Sequence, residues 1–296
     1  MQEKPFSKYQ ILANAVMIIW TLAIILPFIL LFMSSITDEN TLVANGYSFF
    51  PKKFSLASYS YIIKSGGQIL KAYGVSIGVT VVGTLLNVLL SALMAYPLSV
   101  KNLPGRNVMM FFVFFTMLFN GGIVPSYIMW TGTFHIKDTI FAQLLPNFLL
   151  SAWNVMMIRT YFTTSIPDGL YEAAEIDGAS QFTIFWKIVL PLGKPILVTM
   201  GTFAGLAYWN DWTNGLYYIV KNTGLYNVQN LLNQMVQNIQ FLTQSSNSNV
   251  TAAASTIPAT GIQMAIAFVA ILPIMLIFPS FQKYYAKGIA LGAVKG

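Results

Sequence analysis

Long apolar runs separated by short polar segments dominate the chain. Six of them reach the roughly 20 residues that a helix needs to cross about 30 Å of hydrocarbon: residues 11–34, 72–98, 107–130, 139–161, 193–218 and 260–282. They are continuously apolar, which predicts spanning helices rather than the alternating segments of about ten residues found in membrane barrels. Gly74, Ser76, Gly78, Gly83, Ser91, Ala92 and Ala95 recur in the second run, small residues that let helices approach closely. Asn87, Asn120, Asn147 and Asn154 interrupt the second, third and fourth runs with polar groups. The pattern predicts an all-α integral membrane fold of six transmembrane helices, forming one domain over residues 1–296.

Composition agrees. Only 8% of the 296 residues are charged and 56% are hydrophobic, against roughly 25% charged in a soluble domain, which excludes a water-soluble enzyme. There is no cysteine and a single histidine, His135, so disulfides, thiolate metal sites and cysteine nucleophiles are excluded and no metal site is expected. The net charge is +7, but the basic residues are scattered singly and predict no nucleic-acid partner. They report topology instead. With the N-terminus inside, ten Lys and Arg fall in inner segments and six in outer ones. The short inner connection carries Lys101 and Arg106, its outer counterpart 131–138 only Lys137. The chain is expected to run N-in, C-in. Lys4 and Lys8 precede the first run as in a signal peptide, but its length reads as an uncleaved anchor. Arg159, at the inner end of the fourth run, reads as a snorkelling residue.

Two outer segments are long. Residues 35–71 hold Pro51, Gly66 and Gly67. In 219–259, Val228, Leu231, Leu232, Met235, Val236 and Ile239 recur at helical spacing and predict an amphipathic helix. The polar stretch 243–256 reads as a flexible loop. A surface helix with a linker and a docking surface for an external partner are both compatible with this segment.

The inner segment 162–192 departs most from the hydrophobic pattern and holds four of the nine acidic residues. Ser165, Pro167 and Asp168 favour a helix start and Gly178 a stop. They predict a short helix over 167–177 with Asp168, Glu172 and Glu175 on one face. A second segment, 180–190, begins at Ser180 and ends at Pro191. Glu172-Ala173-Ala174, Gly178, Ile188 and Leu190-Pro191 match, at every spacing, the EAA loop of ABC-importer permeases. The chain resembles the carbohydrate-type permeases of the maltose-transporter permease superfamily. Ala95-Tyr96-Pro97, Trp209-Asn210-Asp211 and the Lys287–Gly296 tail extend the resemblance over roughly residues 10–296.

The resemblance implies the transmembrane subunit of an ATP-driven, binding-protein-dependent sugar or oligosaccharide importer in a bacterial plasma membrane. Its partners would be a second homologous permease, a cytoplasmic ATPase dimer and an extracytoplasmic solute-binding protein. Glu172, Ala173, Ala174, Gly178, Ile188, Leu190 and Pro191 would form the cytoplasmic coupling helix, and 219–259 would reach the binding protein. The tail near Gly288–Gly296 would contact the ATPases. The chain lacks a GxxxxGK[ST] phosphate-binding loop, so no cofactor is expected on it, ATP and magnesium belong to the partner ATPase, and no catalytic residue is assigned. Asn87, Asn120, Trp209, Asn210 and Asp211 are candidates for the solute path, Asp211 as the acidic residue inside a span. An ion-coupled secondary transporter would require internal repeats and coupling carboxylates, a membrane enzyme a reactive cluster. A permease for a non-sugar solute remains inside the superfamily.

Overall fold

The computed structural model describes residues 8–64, 66–244 and 259–293. Among them all regular elements are helical, with one isolated antiparallel bridge between Thr37 and Phe54. The chain forms two compact units, one built on residues up to Ile69 with Leu232–Pro273, the other on Leu70–Leu231 with the residues from Ile274.

The first unit begins with α1, Lys8–Ser35, whose apolar side chains are exposed over most of its length, as expected where lipid is the solvent. Its end is fixed by Ser35 Oγ, 2.8 Å from Tyr59 Oη, and by Phe32 against Phe268, 4.9 Å between ring centres. The segment 35–71 contains α2, Glu39–Asn45, and α3, Ala57–Lys64. Glu39 reaches the start of the last helix, accepting the N–H of Thr260 at 2.9 Å and of Gly261 at 2.8 Å. A carboxylate there satisfies two of the N–H groups that a helix start leaves unpaired.

α4, Gly66–Ser99, is 34 residues long, so Gly66 and Gly67 open a helix rather than close a loop. In the second unit α4 packs on α8, Ala152–Ser165, and α12, Lys194–Asn210. Ala92, Ala95, Val155, Ile158 and Phe162 are fully or almost fully buried in this core.

Three of the six expected spans are not continuous helices. The third breaks into α5, Arg106–Leu118, and α6, Ile123–Ile128, which a π-helical turn extends to Thr133. The two parts bend by 109°. Gly122 turns at φ +85°, a conformation natural to glycine, and Asn120 Oδ1 accepts its N–H at 2.8 Å. The fourth reduces to α7, Phe141–Leu144, then an irregular stretch, then the 14 residues of α8. Pro146 has no N–H to continue α7, Asn147 sits at φ +66°, and Ser151 caps α8 through the N–H of Asn154. The fifth stops at Asp211 and restarts as α13, Thr213–Tyr218. By length and composition, the single helices among the described residues that suffice to cross a membrane are Tyr9–Ser35, Gly67–Ser99 and Thr260–Ile277, and two bent pairs, Arg106–Leu118 with Ile123–Thr133 and Gln181–Leu192 with Lys194–Asn210, suffice together. Non-helical backbone at membrane depth persists where protein groups satisfy it. The amphipathic helix forms as α14, Val228–Gln244, and the last helix as α15, Ala259–Ala293. Most of the polar stretch 243–256 lies outside the described residues.

Candidate functional site

The 162–192 loop folds nearly as its residues dictate. α9 spans Asp168–Ile176. Ser165 closes α8 instead of opening α9, because Ile166 and Pro167 are extended. Gly178 turns at φ +76°, donating to Glu175 O at 3.0 Å, while the Ala179 N–H reaches Ala174 O at 2.9 Å. This is a left-handed helix end, where a side chain would be strained. Ser180 caps α10, Gln181–Ile184, through the N–H of Thr183. The second segment is not one α-helix: a π-helical turn, Phe185–Val189, joins α10 to α11, Leu190–Leu192.

The loop has two different sides. On one, Ala174, Ile184, Phe185 and Val189 belong to the same buried core as α4 and α8. Gln181 ties it there, accepting from Tyr96 Oη at 2.5 Å and donating to Glu175 Oε1 at 2.9 Å. Tyr171 stacks on Tyr96 with centroids 6.5 Å apart, and burial pushes its phenol above the usual range, so it stays neutral. Lys101 pairs with Asp168 at 2.5 Å, both more than half exposed, a contact worth little in water. On the other side Glu172, Ala173, Gly178 and Pro191 are exposed, beside Ile176 at 86% and Phe182 at 67% exposure. Ile188 and Leu190 are half-buried. An acidic and apolar face is thus presented by a loop whose back is cemented into the helices.

The residues expected on the solute path do not converge. Asn87 of α4 donates to Phe148 O at 2.6 Å and accepts from Asn154 Nδ2 at 2.7 Å, a buried link between helices. Asn120 is exposed at the α5–α6 break, and Asn210 is exposed at the end of α12. Trp209 is buried and faces Tyr73 at 6.4 Å. Asp211 is 94% buried by its residual exposure of 6%. Its Oδ1 accepts the Thr213 N–H at 3.0 Å, the Thr213 hydroxyl at 2.7 Å and the Asn214 N–H at 3.3 Å. It therefore caps α13. Its Oδ2 is buried without a partner among the described residues.

Around this cap lies an amide network that the sequence reading missed. Asn227 donates to Asp211 O at 2.6 Å and Asn230 to Trp212 O at 2.5 Å. Gln143 donates to Asn230 Oδ1 at 3.2 Å, and Asn214 to Pro146 O at 3.1 Å. These side chains satisfy the backbone freed by the breaks. The signal was the density of Asn in otherwise apolar sequence. Beside α4 an open groove of about 490 Å³ is lined by Gly74, Gly78, Val82, Ile140 and Leu144, with Lys71 at its edge. Among the described residues no three His, Asp or Glu gather as metal ligands do.

The family profile of the binding-protein-dependent transport system inner membrane component matches residues 72–291. Protein LplC of Bacillus subtilis is 36% identical over 92% of this chain and 90% of its own length. The polygalacturonan/rhamnogalacturonan transport system permease protein YtcP of the same organism is 36% identical over 97% and 98%. A chain of a crystallised bacterial ABC transporter that imports the acidic polysaccharide alginate superposes with a TM-score of 0.79 at 26% identity, over 95% of this chain and all of that one. With a profile match across three quarters of its residues and all-helical architecture to accompany it, the chain belongs to the family of binding-protein-dependent transport system inner membrane components.

Proposed function

We propose that the chain is a permease subunit of an ATP-driven importer of oligosaccharides, uronate-containing ones included, in a bacterial plasma membrane. It forms half of a translocation pore with a second, homologous permease, as one transmembrane domain over residues 1–296. It crosses six times, N-in and C-in, and its third, fourth and fifth crossings are discontinuous. A cytoplasmic ATPase dimer supplies the energy, carrying its own ATP and magnesium, and a solute-binding protein delivers the sugar.

The observation that carries this reading is the two-sided inner loop. Its back shares one core with α4 and α8, while Glu172, Ala173, Ile176 and Phe182 are exposed. A partner gripping that face moves packed helices as a body, because close-packed elements transmit displacement rather than absorb it. Glu172, Ala173, Ala174, Gly178, Ile188, Leu190 and Pro191 thereby act as the coupling element. On the solute path, the exposed amides of Asn120 and Asn210 offer direct contacts. Trp209 and Asp211 shape the α12–α13 break, and Asn87 holds helices together. The sugar assignment is supported by the carbohydrate transport described for YtcP and for the alginate importer.

The test is uptake of labelled oligosaccharide by proteoliposomes containing the assembled importer. Uptake is expected to require ATP inside and binding protein outside. Glu172→Lys is expected to abolish uptake while binding protein still docks at the outer face. Uptake driven by an ion gradient without ATP would overturn the reading, and uptake of a non-sugar solute alone would overturn the substrate class.

A further inference from the structure

A second groove lies between α4, α5 and α8. It encloses about 490 Å³ and is lined by Met94 and Pro97 of α4, Met109 and Phe112 of α5, and Leu150 and Val155 beside or within α8. Thr116 is the polar side chain in the lining, and its hydroxyl is committed to Val113 O at 2.8 Å. The groove offers an occupant nothing but apolar contact. It is open, with Met109, Phe112 and Leu150 all more than 40% exposed.

One end of the groove is cationic. Arg106, Met109, Val113 and Thr116 follow one another at i, i+3, i+7 and i+10, so Arg106 stands one turn beyond the lining on its face of α5. Ala152, Val155 and Arg159 do the same on α8. Arg159 Nε donates to Leu98 O at 3.2 Å, at the end of α4. Both arginines are half-buried. Among the described residues neither has a carboxylate within ion-pair distance; of the four acids in the adjoining loop, Asp168 is paired with Lys101. Two half-buried arginines without a carboxylate partner among the described residues, each one turn beyond the lining of an apolar groove, suit an anion attached to something apolar.

We propose that this groove seats an acyl chain of an anionic phospholipid whose phosphate lies between Arg106 and Arg159. Guanidinium matches phosphate with paired N–H donors, and basic pockets between membrane helices favour anionic head groups on the cytoplasmic side. The site needs only that Arg106 and Arg159 lie at a membrane surface; its leaflet rests on the N-in reading above, and its existence does not depend on the transported solute. Bound lipid would bridge α5 to the α4–α8 core that carries the coupling loop.

Native mass spectrometry of the assembled importer, stripped of lipid and titrated with phosphatidylglycerol or phosphatidylcholine, tests this. Phosphatidylglycerol is expected to bind the wild type and phosphatidylcholine to bind poorly. Arg106→Gln is expected to weaken phosphatidylglycerol binding about fivefold, Arg106→Lys to keep most of it, and Thr116→Phe to weaken it by filling the groove. Equal binding of the two lipids, or undiminished binding by both Arg106→Gln and Thr116→Phe, overturns the proposal. Displacement by glycerol phosphate as readily as by lipid would reduce the site to an anion site and also overturn it. A disulfide between Met109→Cys and a cysteine placed on the second permease would overturn it by showing protein in the groove. ATP-driven uptake, measured alongside, reports separately on the transport reading.

Discussion

The Asp138 carboxylate accepts the backbone N–H of Lys221 at 2.7 Å, across 83 residues of chain. The same oxygen takes the N–H of Val220 at 2.7 Å and of Asn222 at 3.2 Å, while the Asp138 N–H donates to Tyr218 O at 3.0 Å. One side chain thus fixes the turn that leads from α13 towards α14. The Lys221 N–H foremost, with those of Val220 and Asn222, holds the carboxyl below its usual range. A depressed carboxyl contributes fully above its ordinary value near pH 4 and loses that contribution as pH falls through its lower folded value. Amide exchange at 220–222 is therefore expected to show no Asp138 contribution to pH dependence between pH 5 and 8. Asp138→Asn is expected to speed exchange there several-fold throughout that range. Unchanged exchange in the variant would refute the clasp.

Asn87 and Asn154 form a buried amide pair between α4 and α8. Asn87→Leu removes it and leaves Phe148 O without its donor. Membrane interhelical hydrogen bonds are worth roughly 0.6–1.7 kcal/mol, so the melting temperature of the complex is expected to fall modestly. If Asn87 acts as a link between helices, the KM for uptake stays unchanged. A raised KM at unchanged melting temperature would instead place Asn87 in contact with solute.

Gly83 and Gly78 lie on the same helix and make opposite demands. A methyl group at Gly83 would run into the Tyr208 ring, which is pinned by its hydroxyl bond to Leu144 O at 2.9 Å, while at Gly78 it would meet open space. Gly83→Ala is expected to cost about 1–3 kcal/mol through overpacking, seen as loss of thermal stability or of assembled complex. Gly78→Ala is expected to leave stability unchanged.

Gln181 joins Glu175 of α9 to Tyr96 of α4. Gln181→Ala is expected to leave ATP hydrolysis in place while raising the ATP consumed per oligosaccharide imported, because the gripped face is less tightly tied to the helix that must move. Parallel measurement of hydrolysis and uptake decides it; an unchanged ratio removes Gln181 from the coupling path.

The inner loop was legible because its signals are local: a proline and an aspartate at a helix start, a glycine at a left-handed end, a serine cap. The α14 helix was legible from its period. The breaks in the expected spans were not, since hydropathy counts side chains and does not register a backbone that leaves the helix at Gly122, Asn147 or Asp211. The amides that make such breaks tolerable come from residues far apart in sequence, Gln143, Asn214, Asn227 and Asn230. Asp138 and Glu39 carry no signal in the sequence for the same reason: their partners are backbone N–H groups distant along the chain, which carry no side-chain signature.

The contact between Glu39 and the start of α15 has a consequence for how the chain is made. Glu39 leaves the ribosome 221 residues before Thr260, which at roughly 5–20 residues per second is a wait of about 10–45 s. Throughout that interval Glu39 lacks the N–H partners it accepts in the finished chain, so this contact can close only after the last helix has been synthesised. A chain truncated before α15 would leave the Glu39 carboxylate without the two N–H groups it accepts.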